Sequence, residues 1–154
     1  MMYKNVIYIT QFPFASFLPS RYTKHTKKMI TQQKDATAIA QALEEYYFIG
    51  SYEGDLNKLN RIFHPGTLLF GDVKGQPYAK TLDEWLDVVA NRQSPKDSGK
   101  PFKGDILNIK VVNSVAIAEV NVQAYDMLYH DFLSLHQING NWLIVNKIMS
   151  GINQ

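Results

Sequence analysis

Residues 131–147, DFLSLHQINGNWLIVNK, decide the fold of this 154-residue chain. Two short apolar runs flank Asn139-Gly140-Asn141, a pattern that predicts two antiparallel strands joined by a tight turn. Asp131 has the same parity as Leu133 and Leu135, so the carboxylate faces the core if these leucines do. The stretch therefore raises a question about function, namely why an acid stands at a core-facing position.

The residues around this stretch also alternate with a period of two. Residues 107–111 predict one strand and residues 116–124 a longer one, while residues 131–135 and 143–149 predict a third and a fourth. Because the connections are short, we expect the four strands to pair as an antiparallel meander.

Three helices are predicted in the amino-terminal half. Asp35 is the expected N-cap of the first helix, which should end near Gly54. Asp55 should cap the second, and Pro65 should end it because proline cannot continue the helical hydrogen bonding. Thr81 opens the third with the sequence Thr-Leu-Asp-Glu, which fits a capping box.

A short hairpin, residues 67–70 with 78–80, is predicted before the third helix, and residues 94–101 are predicted to form a polar loop. Helices followed by a meander are typical of the α+β class. We expect three helices packed into a strongly curved mixed or antiparallel sheet. Such a twisted sheet bent around helices leaves a conical hollow between the two layers.

Composition excludes several classes of protein. The chain is 45% hydrophobic and 19% charged, which is typical of a globular domain. No run approaches the roughly 18–20 apolar residues that a membrane-spanning helix needs, so we expect no membrane partner. The sequence has no cysteine, which excludes disulfides, thiolate nucleophiles and thiolate metal ligands.

The formal charge of +2 is unevenly distributed. The first 28 residues carry five of the 16 basic residues and no acidic one, so residues 29–154 hold 11 basic against 14 acidic residues, a net charge of −3. This part of the chain offers no basic surface for phosphates, and we expect no nucleic-acid partner.

Residues 1–29 are predicted to be a flexible tail or an over-annotated gene start with Met29 as the working initiator, and residues 30–154 to form one domain. The apolar run at residues 6–18 contains Pro13 and polar residues and makes a poor signal-peptide core. We therefore expect a cytoplasmic protein. A secretory signal or another targeting role for residues 1–28 is the alternative.

Several short motifs, taken in order, resemble the NTF2-like (SnoaL-like) superfamily, and within it the branch labelled putative lumazine-binding. The resemblance spans residues 35–149, and its motifs are residues 47–56 with Leu59, Phe63-His64-Pro65, residues 131–135 and residues 139–147. It implies a cone fold, a pocket between sheet and helices, and homodimers formed through the outer sheet face. It implies no single activity, because the superfamily includes isomerases, cyclases, dehydratases and non-enzymes.

Asp131 is the first candidate site residue. A carboxylate beside an apolar hollow has its ionised form disfavoured, which suits a general acid, a general base or a ligand anchor. The alternative is that Asp131 lies at the rim of the sheet, where water or a loop amide satisfies it. Rim carboxylates are common, which favours the rim.

Tyr47 stands eight residues before Asp55, which resembles the placement of a hydrogen-bond-donating tyrosine in NTF2-like ketosteroid isomerases. It would polarise a substrate carbonyl, or else pack in the core with its hydroxyl bound by protein. In the same resemblance the catalytic base of the isomerase falls near Gly71. Asp72, one residue away, is therefore a second candidate catalytic acid.

Trp85 and Asn146 complete the candidate ligand-binding residues. Trp85 is expected to anchor the third helix in the core, and a place in the pocket wall is the alternative. Asn146 and Lys147 are adjacent on a strand and point to opposite faces. Because Asn146 shares parity with Ile144, we expect Asn146 inside the cone and Lys147 outside.

A metal site is not expected. His130 and His136 share a face but lie about 20 Å apart along a strand, whereas zinc ligands converge within about 2 Å of the ion. No sequence motif for a nucleophilic serine or a phosphate-binding loop is present. We predict no metal and no cofactor.

The leading functional hypothesis is the binding of a small apolar or cyclic ligand in the cone, with contacts from Tyr47, Trp85, Asp131 and Asn146. One alternative is an acid–base enzyme of isomerase or cyclase type, in which Asp131 or Asp72 moves a proton and Tyr47 polarises a carbonyl. The other alternative is a dimeric scaffold whose cone is filled by its own side chains.

Overall fold

The computed structural model describes residues 20–153, with side chains from residue 23 onward. Its helices are α1 (Ser20–Ala42), a π-helical segment (Leu43–Phe48), α2 (Ile49–Glu53), α3 (Leu56–Ile62), α4 (Leu82–Asn91) and α5 (Pro95–Ser98). Its strands are β1 (Phe63–Val73), β2 (Gln76–Thr81), β3 (Phe102–Val112), β4 (Val115–Ala124), β5 (Met127–Ile138) and β6 (Asn141–Asn153).

The first helix is longer than the sequence predicts. α1, the π-helical segment and α2 follow one another without a break, and Gly54 ends the run with a left-handed φ of 70°. Asp35 lies inside α1, so its prediction as the N-cap is wrong, because the preceding polar residues are themselves good helix formers. The boundary predicted after Met29 also falls inside α1, and the tail before Ser20 lies outside the described residues.

The π-helical segment changes which side chains of this helix face inward. A π-helical turn contains an additional residue and so rotates the residues that follow it. As a result two consecutive residues, Tyr47 and Phe48, are both buried, as is Leu43 at the start of the segment. Tyr46, which the helical spacing predicts to be inward, is only partly buried.

The predicted caps at Asp55 and Thr81 and the predicted hairpin are confirmed. The Asp55 carboxylate accepts the amide N–H groups of the first turn of α3. The Thr81 hydroxyl accepts the Glu84 amide, and the Glu84 carboxylate accepts the Thr81 amide at 2.8 Å, which is a complete capping box. β1 and β2 pair antiparallel around a turn at Lys74 and Gly75. The predicted polar loop at 94–101 contains the four-residue α5.

The six strands form one mixed sheet in the order β2-β1-β6-β5-β4-β3. The meander of β3 to β6 is antiparallel, as predicted, and β1 joins it in parallel beside β6. Asn139 and Gly140 have φ angles of 51° and 81°, the conformation that a two-residue hairpin turn needs. The helices pack on one face of this curved, unclosed sheet, which confirms the predicted α+β class.

A β-bulge in β6 reverses the predicted parity of the residues that follow it. Ser134 of β5 pairs with Asn146, but Leu135 pairs with Ile144, so Val145 is an extra residue in β6. From there on, Lys147 faces the core and Asn146 does not. The prediction that Asn146 lies inside and Lys147 outside is therefore wrong.

The hydrophobic core lies between the helices and the sheet, and it is built from the inward residues of every strand of the meander and from α1, α3 and α4. Trp85 of α4 is buried in this core against the ring of Phe63, with ring centroids 5.5 Å apart. Within residues 20–153, no helix combines the length and the apolar character that a membrane crossing requires.

Candidate functional site

A cavity of about 180 Å³ lies between the helices and the sheet. Residues of the helical layer and of all six strands contribute to its wall, and most of them are apolar or aromatic. The wall consists of Tyr47, Ser51, Val73, Tyr78, Trp85, Val88, Arg92, Phe102, Val122, Ala124, Tyr125, Tyr129, Asp131, Lys147 and Met149.

Three polar side chains form a closed, buried hydrogen-bonded triangle in this wall. The Tyr47 hydroxyl donates to Asp131 Oδ2 at 2.6 Å, and the Lys147 ammonium donates to the Tyr47 hydroxyl, also at 2.6 Å. Lys147 Nζ also lies 2.9 Å from Asp131 Oδ2. The exposed fractions of Tyr47, Asp131 and Lys147 are 2%, 0% and 5%. We call these three residues the buried triad.

Three different features of the chain bring the triad together. The π-helical segment turns Tyr47 inward, and the regular alternation of β5 does the same for Asp131. The bulge at Val145 turns Lys147 inward on β6. Because Leu133 pairs with Lys147 across the two strands, Asp131 is its diagonal neighbour, within reach of a long side chain.

The environment of the triad keeps the Tyr47 phenol protonated. Burial raises its pKa well above the ordinary value of 10.0, and the Asp131 charge and the hydrogen bond to Asp131 raise it further. The Lys147 ammonium lies 5.2 Å from the centre of the Tyr47 ring and 5.8 Å from that of Trp85, so aromatic faces also stabilise the cation. Tyr47 is thus a neutral donor to an ion pair.

The triad does not use all of its hydrogen-bonding capacity. Asp131 Oδ1 is buried and has no partner among the described residues. An ammonium has three N–H groups, and the contacts of Lys147 to Tyr47 and Asp131 occupy two of them. A buried acceptor without a partner costs free energy, so such groups are normally satisfied. Among the described residues, Asp131 Oδ1 and one N–H of Lys147 therefore have no partner, and both side chains belong to the cavity wall.

A half-exposed part of the wall contains Arg92 with Tyr78, Tyr125 and Tyr129. The Arg92 guanidinium lies 5.5 Å from the centre of the Tyr125 ring, whose hydroxyl donates to the Gln93 carbonyl. Burial raises the pKa of both Tyr78 and Tyr129, so these phenols are neutral at pH 7. This half-exposed group forms the solvent side of the cavity.

The structure places Asp131 inside the domain, so the rim interpretation is wrong. β5 begins at Met127, four residues before Asp131, and the acid is therefore well inside the strand. Tyr47 lies beside Asp131, as both site hypotheses require. Trp85 combines its two predicted positions, because it anchors α4 and also contributes to the cavity wall.

Asn146 and Asp72 lie away from the cavity. The Asn146 amide donates to the Leu68 carbonyl across the β1–β6 pairing. Asp72 is exposed, and its carboxylate accepts the Gly75 amide in the turn between β1 and β2. At neighbouring Gly71 a Cβ atom would lie 1.8 Å from the Met149 carbonyl oxygen, so no side chain fits at that position. The predictions that place Asn146 and Asp72 in the site are wrong.

Sequence reasoning misses Lys147 and Arg92. The buried residues of β6 change from even to odd numbers after Ile144, and Met149 continues the odd series. The pairing of β6 with β5 causes this change, so the sequence of β6 alone does not reveal the position of Lys147. Arg92 follows the last turn of α4, and the sequence contains no pattern that singles it out. Across residues 20–153, no three His, Asp or Glu side chains come together as metal ligands would.

The chain has the fold of NTF2-like proteins. An NTF2-like protein of unknown function from Silicibacter pomeroyi DSS-3 superposes with a TM-score of 0.70 and 22% identity, covering 78% of this chain and 98% of that one. A second, from Shewanella baltica OS155, gives a TM-score of 0.68 and 24% identity over 79% and 96% of the two chains.

The sequence places the chain more narrowly. Residues 34–150 match the family model described as "Putative lumazine-binding", and the chain belongs to this family. Among curated proteins it is similar to a protein named Aldolase FrzH from Cladobotryum sp, with 27% identity over 122 residues, which is 79% of this chain and 94% of that protein.

Proposed function

We propose that the protein binds a small, mostly apolar or cyclic molecule in the cavity, and that Asp131 and Lys147 hold its polar atoms. The observation that supports this best is Asp131 Oδ1, a buried carboxylate oxygen in the cavity wall without a partner among the described residues. A ligand N–H or O–H would satisfy it, and a ligand carbonyl would accept the remaining N–H of Lys147. Lys147 takes the place that the sequence assigns to Asn146.

The rest of the wall supports the apolar part of this proposal. Trp85, Phe102, Val122 and Met149 offer apolar surface, and the Tyr47 ring adds to it. The volume of about 180 Å³ is below the roughly 300–1,000 Å³ of sites for drug-sized ligands, which favours a compact ring system. The same open volume argues against the scaffold hypothesis, which requires a filled cone.

Native mass spectrometry of the purified protein tests this function. We expect a co-purified small molecule, or retention of an added compact ring compound that bears a hydrogen-bond donor. Asp131→Asn should lose the bound mass, while Asp126→Asn should keep it, because Asp126 is an exposed acid whose contact is with Lys100. Equal retention by the two variants would contradict the proposed role of Asp131.

A second candidate is an acid–base enzyme that acts on a carbonyl compound. It is favoured by the free Asp131 oxygen beside the Lys147 ammonium, and by the similarity to a protein named an aldolase. In this reaction Asp131 Oδ1 takes a proton from the carbon next to the carbonyl. The C–H electron pair forms the enolate double bond, the carbonyl π pair moves to oxygen, and the Lys147 N–H stabilises the enolate.

This mechanism changes the role of Tyr47. Its proton is already donated to Asp131, so the phenol is not free to polarise a substrate carbonyl. Instead it holds Asp131 and Lys147 in place by contacting both. The proton-moving residue remains Asp131, as predicted, and Lys147 supplies the donor.

Exchange of α-hydrogens for deuterium, followed by NMR with cyclohexanone in D2O, tests the enzymatic candidate. The wild type should exchange the probe faster than buffer does, and Asp131→Asn should remove the enhancement. Asp72→Asn is the matched control and should keep it, because Asp72 lies in an exposed turn. No enhancement, or an enhancement that survives Asp131→Asn, would rule out this candidate.

We also propose that the protein forms a homodimer through the outer face of the sheet. Large apolar side chains are exposed there on neighbouring strands, in a contiguous pattern that is typical of interaction surfaces. They include Leu68, Phe70, Ile117, Phe132 and Ile148, with exposed fractions of 43–54%. A depression of about 570 Å³ on this face, lined in part by Val112, Val115 and Ile117, offers a place for side chains of a second copy.

A further inference from the structure

Arg92 is a charged residue in the cavity wall that no described residue neutralises. We propose that the ligand carries a carboxylate that pairs with the Arg92 guanidinium on the solvent side of the cavity, while its apolar ring extends toward the buried triad. This rests on the proposed function and names the chemical class of the ligand, a small apolar carboxylic acid in its ionised form.

The first argument is the lack of partners for Arg92. Within residues 20–153 its side chain makes no ion pair and no hydrogen bond, and its Nε is fully buried. A guanidinium carries five N–H donors in a fixed planar arrangement that matches the two oxygens of a carboxylate. Such a group, half-buried at a cavity, is suited to bind an anion.

The second argument is that the surroundings orient Arg92 without neutralising it. The guanidinium lies over the Tyr125 ring, and the hydrogen bond from Tyr125 to the Gln93 carbonyl fixes that ring. Arg92 also follows the last turn of α4, where the helix dipole attracts a cation. Both contacts hold the side chain at the cavity and leave its N–H groups available.

The third argument is the charge of the cavity as a whole. Among the described wall residues, three carry a formal charge, and Asp131 and Lys147 form an ion pair with each other. Arg92 therefore leaves the wall with one net positive charge. Electrostatic attraction in a partly desolvated cavity is stronger than in water, so an anionic ligand is favoured over a neutral or cationic one.

The fourth argument concerns the phenols beside Arg92. Burial raises the pKa of Tyr78 and of Tyr129, and in both cases the Arg92 charge acts in the opposite direction, which indicates that it is close to both rings. These phenols are neutral and do not compete with a ligand carboxylate for Arg92. The charge of Glu84 also raises the pKa of Tyr78. Glu84 is exposed, and its carboxylate already accepts the hydrogen bond from the Thr81 amide in the capping box.

Two probes that differ only in charge test this inference. Cyclohexanecarboxylate and cyclohexanecarboxamide have nearly the same shape, and isothermal titration calorimetry measures both affinities. We expect the carboxylate to bind at least about tenfold more tightly, as a charge-assisted hydrogen bond implies. Arg92→Gln should abolish this preference, because it removes the charge and so weakens carboxylate binding much more than amide binding. Arg61→Gln is the control, since Arg61 also packs on a tyrosine ring, that of Tyr46, and is not part of the cavity wall.

The outcomes separate the two proposals. Equal affinities of the wild type for both probes overturn the role of Arg92 and leave the proposed binding function standing, as does a carboxylate preference that survives Arg92→Gln. Binding of neither probe overturns the inference and counts against the binding function as well. Arg92→Lys covers the case in which the glutamine variant does not fold, because it keeps the charge without the bidentate geometry and should keep a reduced preference.

Discussion

Removing one charge from the buried triad should destabilise the protein far more than removing both. In Lys147→Met the Asp131 carboxylate, 0% exposed, keeps the Tyr47 hydroxyl and loses its counter-charge. In Asp131→Asn the ammonium of Lys147 stays buried without an anion. Breaking a buried ion pair from either side costs about 3–5 kcal/mol, a large fraction of the about 5–15 kcal/mol by which proteins are stable.

The double variant should lose much less unfolding free energy than the two single variants lose in sum. With both charges gone, no uncompensated ion is buried, and methionine fills most of the volume of the lysine side chain. The side-chain oxygen of asparagine can still accept the hydrogen bond from the Tyr47 hydroxyl. Replacing a whole buried ion pair by neutral groups of similar size is often close to neutral. The coupling free energy between the two positions should therefore be about 3 kcal/mol or more.

Urea denaturation of the wild type, the two single variants and the double variant, followed by circular dichroism, measures this coupling. Lys100→Met and Asp126→Asn provide a control cycle, because that pair is exposed, with Nζ and Oδ2 3.5 Å apart, and should show no measurable coupling. The contrary result is a double variant that loses the sum of the unfolding free energies lost by the two single variants, to within about 0.5 kcal/mol. In that case the two charges do not interact in a buried site, and the buried triad does not exist in solution.

Three further predictions concern Tyr47, α4 and the outer sheet face. The free energy of unfolding should fall as the pH rises above 10.0, because Tyr47 ionises near that value in the unfolded chain but stays protonated in the folded one. Urea titrations at several pH values measure this fall, and it should be smaller in Tyr47→Phe. Thr81→Ala should cost about 1 kcal/mol in thermal or urea unfolding by removing the cap, and Thr37→Ala, within α1, should cost clearly less. Ile117→Glu should convert a dimer into a monomer in light scattering after size exclusion, and an unchanged mass would contradict the proposed interface.

The elements that the sequence predicts correctly are those whose signals are local. The Thr81 capping box, the Asp55 cap and the Asn139-Gly140 turn each depend on a few adjacent residues, and their hydrogen bonds form within the same segment. The inward position of Asp131 follows from the undisturbed alternation of β5. Its complete burial does not, because that depends on the length of the strand and on the helix packed above it.

The errors arise where one residue is inserted into a regular pattern. The bulge at Val145 exchanges Asn146 for Lys147 at the cavity, and the π-helical segment adds Phe48 to the buried face. In both cases pairing or packing with a distant segment fixes the insertion, so a short window of sequence does not contain the cause. Arg92 is a related case, because its significance comes from the lack of a partner among residues 20–153, which only the folded arrangement shows.

The extra residue in β6 has a consequence for comparing this protein with its relatives. A relative whose sixth strand lacks the residue equivalent to Val145 presents every later side chain of that strand to the opposite surface. If such a sequence is aligned without a gap at this position, the buried Lys147 of this protein is matched with a residue whose side chain points into solvent in the relative. A lysine at the aligned position is then no sign of shared chemistry, and its absence no sign of lost chemistry, until the strand pairing of both proteins has been established.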